Sequence, residues 1–240
     1  MDHPPPCPEP AWIDLPVADG GRMRAYAAEP AGVGPVPGLI VFQEIFGVNG
    51  HIQELCRRFA AEGFLALAPE VFHRTAPGFT SSYADYTPGR AHAARLSPED
   101  LAIDVEALMA WFSAHPRSAG RRVGSVGYCL GGRLSFLAAT SAGLGCAISF
   151  YGRDIPSHFD RLDRLECPLL TVWGGADAII PAEQPGQVAE ALRAAGKGHI
   201  GLTFDGADHG FFCDQRASYN PGVARIAWPA TLAFLRENLD

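Results

Sequence analysis

Three side chains suited to nucleophilic acyl transfer follow one another in the order cysteine, aspartate, histidine: Cys129, Asp177 and His209. A thiolate can attack a carbonyl carbon. An imidazole that titrates near neutrality can move the protons, and a carboxylate can fix its tautomer and stabilise its charged form. Cys129 lies in Gly127-Tyr128-Cys129-Leu130-Gly131-Gly132. The run Arg122 to Val126 before it reads as a buried strand, and Arg133 to Ala139 after it reads as a helix with few breakers. Strand, glycine-flanked turn and helix form the setting of a nucleophile elbow, whose usual form is G-x-S-x-G. Glycines two residues to either side let strand and helix approach closely. The helix N-terminus then favours negative charge on the side chain presented there, which helps a thiolate form.

The rest of the chain must bring these residues together. Gly38–Phe42, Phe64–Ala68, Gly145–Phe150, Leu169–Trp173 and Ile200–Phe204 are apolar runs of strand length. Between them lie helical stretches: His51–Glu62, with Ile52, Leu55, Cys56 and Phe59 on one face, then Pro98–His115, Ala182–Ala195 and Val223–Asn238. Such alternation predicts a mainly parallel sheet with right-handed crossovers. Trp12–Val17 and Met23–Ala28, separated by Ala18-Asp19-Gly20-Gly21, predict an antiparallel edge. Residues 1–10 contain five prolines and are expected as an irregular arm, leaving residues 11–240 as one domain. Glu70–Ser97 reads as a long loop with a helical turn near Arg90 to Arg95. All three candidates fall just after apolar strands, and in an open parallel sheet the ligand site lies outside those strand ends. Their chain order is that of α/β-hydrolases, which is the fold expected. The stretch between Tyr151 and Leu169 has no room for a cap domain, so an open site and a small substrate are expected.

An oxyanion formed at the carbonyl needs two donors near the sulfur. The N–H of Leu130, directly after the nucleophile, is one candidate. The N–H of Ile45, in the loop after the Gly38–Phe42 strand, is the other. Glu44 stands beside it among Phe42, Ile45 and Phe46. A carboxylate in apolar surroundings favours its neutral form unless partnered, so Glu44 could accept the thiol proton.

Composition narrows the class. Of 240 residues, 48% are hydrophobic and 19% charged, as in a well-buried globular chain. The net charge of −7 argues against nucleic acid or an anionic membrane as partner. Six scattered cysteines without C-x-x-C spacing argue against a metal knuckle or redox pair. Neither a secretory signal nor an apolar membrane span is visible, and a reducing cytoplasm is expected. No cofactor is expected, and a monomer or weak homo-oligomer is.

The stretches QEIFGVN (43–49), GYCLGG (127–132), WGGADAIIP (173–181) and DHGFF (208–212) resemble the dienelactone hydrolase family, with similarity over nearly the whole chain after residue 11. The resemblance implies a Cys129-Asp177-His209 triad. It also implies oxyanion donors at Ile45 and Leu130, and a Glu44 that draws the proton from the resting thiol when substrate binds. Tyr151 maps onto a family tyrosine, and Tyr86, Arg90, Phe46 and Phe211 are further candidates for substrate contact. One family arginine that holds a substrate carboxylate falls at Cys213, with Arg216 three residues on. With Arg90 and Arg216 as the remaining cations, a weaker preference for anionic substrates is expected. The implied activity is hydrolysis of a small lactone or ester, as in the degradation of aromatic compounds. A broader carboxylesterase and a non-catalytic protein using Cys129 as a ligand or redox thiol are the alternatives.

Overall fold

The computed structural model describes residues 7–240. Eight strands form one sheet in the order β1-β2-β4-β3-β5-β6-β7-β8. They are β1 (Ala11–Pro16), β2 (Arg22–Ala28), β3 (Gly38–Phe42), β4 (Leu65–Pro69), β5 (Val123–Tyr128), β6 (Cys146–Phe150), β7 (Leu169–Gly174) and β8 (His199–Phe204). β2 pairs antiparallel with both β1 and β4, and every other pairing is parallel. β3 to β6 are buried along their whole length, as their unbroken apolar runs require of strands covered on both faces.

Six α-helices accompany the sheet: α1 (Gly50–Ala61), α2 (Thr87–Ala93), α3 (Pro98–Ala114), α4 (Leu130–Ala139), α5 (Gln184–Ala194) and α6 (Pro221–Leu239). Three have side-chain N-caps, Asn49 on Ile52, Ser97 on Asp100 and Asn220 on Val223, each meeting an N–H that the helix itself leaves unpaired. The fold is that of an α/β-hydrolase without a separate cap. A 3₁₀ segment, Ile155–Arg164, occupies part of the span between β6 and β7. The sequence reading assigned no element there, although Ile155, Phe159 and Leu162 fall at helical spacing. Of the expected N-terminal arm, residues 7–10 precede β1 without regular structure and the rest lies outside the described residues.

The strand order places the site. The chain passes from β3 outward to β4, then returns to β5 on the other side of β3. The carboxyl ends of β3 and β5 are thus neighbours, with Phe42 opposite Gly127, at the point where the winding reverses. The loop after β3 carries Glu44 and Ile45, and the turn after β5 carries Cys129. No helix among the described residues is long and apolar enough to cross a membrane.

Candidate active site

β5 runs to Tyr128 and α4 starts at Leu130, so Cys129 alone makes the turn. The sequence reading ended the strand at Val126 and began the helix at Arg133. The difference is physical, because hydrogen bonding persists up to a single residue that reverses the chain. That residue has φ 57° and ψ −115°, a conformation costly for a residue with a Cβ. The surrounding glycines make it possible. A Cβ on Gly127 would lie 1.8 Å from the Gly131 carbonyl oxygen, and one on Gly131 would lie 2.3 Å from that of Phe42. A Cβ on Gly132 would meet the backbone of Phe150 and Gly152 within 3 Å. Leu130, as the first helical residue, has an N–H without an intrahelical partner, which is what an oxyanion donor requires.

Asp177 and His209, which follow different strands, are brought together, and His209 shares a cavity with Cys129. His209 Nδ1 donates to Asp177 Oδ2 at 2.8 Å. Asp177 Oδ1 accepts the N–H groups of Ile179 and Ile180 at 2.8 and 3.0 Å. Burial works against the charge on Asp177, but the bonds from His209 and these two amides hold its carboxyl below its ordinary pKa. With Nδ1 committed to Asp177, Nε2 is the atom left for reaction, and it is buried without a hydrogen-bond partner. Burial also opposes charge on His209. The bond to Asp177 and the nearness of Cys129 outweigh it and raise the imidazole from 6.5 to about 10.

Cys129, His209, Ile45 and Leu130 line one cavity of about 220 Å³, together with Tyr86 and Arg90. That size suits a small substrate. The other expected contacts lie behind its wall, and this corrects the sequence reading. Tyr151, Phe46 and Phe211 are fully buried and do not line the cavity. Tyr151, in a strained backbone with φ 39°, sets its ring 5.0 Å from that of His209, and Phe211 packs edge-on to Tyr151 at 5.3 Å. Phe46 holds the rings of Tyr83 and Tyr86 edge-on at 4.7 and 5.1 Å. Aromatic side chains following strand ends thus pack against His209, Tyr83 and Tyr86 from inside.

Glu44 is fully buried, but not alone. Arg216 Nη1 donates to Glu44 Oε1 at 2.9 Å, and Arg216 Nη2 donates to the Tyr86 hydroxyl at 3.0 Å. Burial disfavours the guanidinium charge, yet Glu44 outweighs it and keeps Arg216 cationic. The sequence reading left Arg216 unplaced. The signal was Gly210, directly after the histidine: it has φ 79°, and a Cβ there would lie 2.2 Å from Arg216 Nη1. Glu44 Oε2 is buried and takes no hydrogen bond. The long loop is ordered over this loop. α2 lies slightly earlier than expected, and a Cβ on Gly89 would fall 2.1 Å from the Ile45 carbonyl oxygen. Asn49 Nδ2 donates to the Tyr83 hydroxyl at 3.0 Å.

Of the other cysteines, Cys167 and Cys213 are pushed up to about 11 by burial, helped in Cys213 by the charge of Glu44. Burial likewise raises Cys56 and Cys146. Among the described residues no group of three or more His, Cys, Asp or Glu side chains is arranged to hold a metal ion.

A family model described as "Dienelactone hydrolase family" matches residues 23–239. The chain belongs to the dienelactone hydrolase family. It is 37% identical over 217 residues, 86% of this chain and 88% of the relative, to a protein of Synechocystis sp. named "Putative carboxymethylenebutenolidase". An Escherichia coli K12 protein of the same name is 34% identical over 233 residues, 92% of this chain and 84% of the relative. The crystal structure of a "Putative Dienelactone Hydrolase" from Klebsiella pneumoniae superposes with a TM-score of 0.85 at 33% identity, covering 94% of this chain and 97% of that one. As a member of the dienelactone hydrolase family the chain is a hydrolase of lactones or esters.

The raised His209 has a consequence for stability. Because the folded state binds this proton more tightly, its contribution is complete below about pH 6.5 and is lost as pH rises toward 10. The urea midpoint of the wild type, minus that of His209→Gln, should fall across this interval. A difference that stays flat from pH 6.5 to 10 would contradict the assignment.

Proposed function

We propose that this dienelactone hydrolase family member opens a small lactone or ester through a thioester on Cys129. The observation that carries the reading is the convergence, on one cavity, of a cysteine at a strained helix N-terminus and a histidine oriented by a buried carboxylate. The roles follow from the charges. Asp177 and Cys129 both favour the charged form of His209, which suits its Nε2 to the role of acid, and the thiol proton is assigned to another acceptor. Glu44 Oε2, buried and unpartnered, is the acceptor. Sγ then attacks the carbonyl carbon, and the developing oxyanion takes hydrogen bonds from the N–H groups of Ile45 and Leu130. The carbon–oxygen bond breaks as His209 Nε2 gives its proton to the leaving oxygen. In a lactone that alcohol stays attached to the acyl chain.

Neutral His209 next takes a proton from water, whose hydroxide attacks the thioester. The acid is released, and the departing thiolate recovers its proton from Glu44. Atoms and protons balance over the cycle, and no other reactant is required. The substrate side is a small lactone or ester, a carboxymethylene-substituted lactone being the kind suggested by the names of relatives. The broader carboxylesterase uses the same steps. A non-catalytic thiol protein fits less well, because Asp177, His209 and Cys129 meet at one site.

Cys129→Ala should reduce hydrolysis of aryl esters and lactones to the background rate with the unfolding midpoint little changed. Wild-type turnover by this variant would exclude the mechanism. Glu44→Gln, assayed below its own unfolding midpoint, should lower kcat by about a hundredfold or more, the usual scale of a general base, and change KM far less. A rise in KM alone would make Glu44 a binding residue.

A further inference from the structure

The space beside α4 does not end with the catalytic cavity. A second cavity of about 190 Å³ adjoins it, and the two share Ala93, Ala94 and Arg133 in their walls. The acyl-transfer steps make no use of it. Cys129, which caps α4, is followed at intervals of four by Arg133 and Leu137, so the three lie along one face of the helix. Arg133 lines both cavities, and Leu134 and Leu137 line the second. One helix face therefore leads from the sulfur into the second cavity.

The second cavity suits hydrocarbon. Leu96 and Pro98, on either side of the N-cap of α3, join Leu134 and Leu137 in its wall. Ala93 and Ala94, at the end of α2, have short side chains, which leaves the gap between α2 and α4 open. Its polar groups are engaged or uncharged. Ser97 Oγ accepts the Asp100 N–H at 3.0 Å. Burial, with the charge of Arg133, holds His158 below the ordinary imidazole pKa, so it is neutral at pH 7. Among the described residues the Arg133 guanidinium donates no hydrogen bond to the protein, and Asp154 Oδ2 is 3.7 Å from Nη1, beyond bonding distance. Its head can shift without breaking a bond, while its methylene stem offers apolar surface to a chain passing beside it.

The geometry also separates the two halves of an ester. His209 Nε2 delivers its proton to the leaving oxygen, so the alcohol lies on the side of His209. His209 lines the catalytic cavity but not the second one. A chain running along α4 away from His209 belongs to the acyl half. The helix sets its length: at 1.5 Å per residue, Leu134 lies about 7.5 Å and Leu137 about 12 Å beyond Cys129. An extended chain advances about 1.2 Å per bond, so roughly six to ten bonds cover that range.

We propose that the second cavity is an acyl-chain subsite. It lets the enzyme take linear apolar esters of about six to ten acyl carbons, beyond the small substrates that the first cavity holds alone. The proposal rests on the acyl-transfer reading above and adds a substrate class, a neutral flexible acyl chain rather than a lactone ring. Leu96, Leu134 and Leu137 are then the residues that determine chain length, and Arg133 is the side chain that the acyl group passes.

The test compares kcat/KM for p-nitrophenyl octanoate with that for p-nitrophenyl acetate. Burying one methylene is worth about fourfold, so the wild type should favour octanoate by about tenfold or more even where the chain is only partly covered. A wild type that favours acetate would overturn the proposal. Leu137→Trp, which fills the cavity, should lower the ratio by about tenfold while acetate turnover stays as it was. An unchanged ratio would overturn the subsite. If that variant does not fold, Leu96→Asp decides: Leu96 is only half-buried, and a charge placed there should lower the ratio in the same way, an unchanged ratio overturning the proposal. Alkyl acetates from ethyl to octyl examine the other half of the ester. Their relative rates should not respond to either substitution, and a response there with none in the p-nitrophenyl series would put the alcohol in the cavity and overturn the acyl assignment. If the wild type hydrolyses no ester, the acyl-transfer reading falls separately. Calorimetric titration with octanamide then still reads the cavity. Binding about tenfold or more weaker in the variant supports it, and equal binding, or none to the wild type, overturns it.

Discussion

The backbone of Cys129 is the constraint on which the site depends. A residue with a Cβ held at φ 57° costs on the order of 1–3 kcal/mol, and it persists only where the neighbourhood leaves no alternative. Here β5 and α4 are both buried and both continue to the residues flanking the turn, so one residue must reverse the chain. Gly127, Gly131 and Gly132 admit the backbones of α4, β3 and the loop after β6 at distances that no side chain would tolerate. The same close packing sets the thiol at a helix N-terminus, puts the Leu130 N–H beside it and brings the loops after β3 and β6 to the rim of the cavity. The proposed nucleophile and the proposed oxyanion donors are in this sense consequences of one turn.

The second organising interaction is the buried pair of Glu44 and Arg216. Removing one member of such a pair typically costs about 3–5 kcal/mol, because the other charge is left without a partner. Arg216 also bonds Tyr86 and lies over the rings of Phe46, Tyr83 and Tyr86 at 5.7 to 6.0 Å. It thereby ties the segment after His209 to the loop after β3 and to the long excursion containing α2. That excursion is irregular in sequence yet ordered over the site, through Asn49 with Tyr83 and through Gly89 against Ile45. The pair occupies one oxygen of Glu44 and leaves the other unpartnered, so one carboxylate serves both the architecture and the proposed proton transfer.

Much of this was legible in the sequence because the strong signals are local. Continuous apolar runs marked β3 to β6, and the order of Cys129, Asp177 and His209 at strand ends implied that they meet. What local pattern does not carry is direction. Phe46, Phe211 and Tyr151 stand beside reacting residues in the chain, but their rings turn into the aromatic wall behind the cavity. Arg216 was read as a free cation, because its buried partner Glu44 lies 172 residues away in the chain, beyond any local pattern. The 3₁₀ segment at Ile155–Arg164 has Ile155, Phe159 and Leu162 at helical spacing, but it is short and kinked at His158, so no element was assigned to it.

The central claim is that Cys129 carries the acyl group. Rapid quenching of the enzyme with a p-nitrophenyl ester, followed by intact-mass measurement and peptide mapping, addresses it directly. The expected result is one acyl adduct per chain, on the peptide containing Cys129, released by hydroxylamine as a thioester is, and formed in step with the burst of nitrophenol. Turnover with no adduct at any quench time, or an adduct on another side chain such as Cys213, would contradict it.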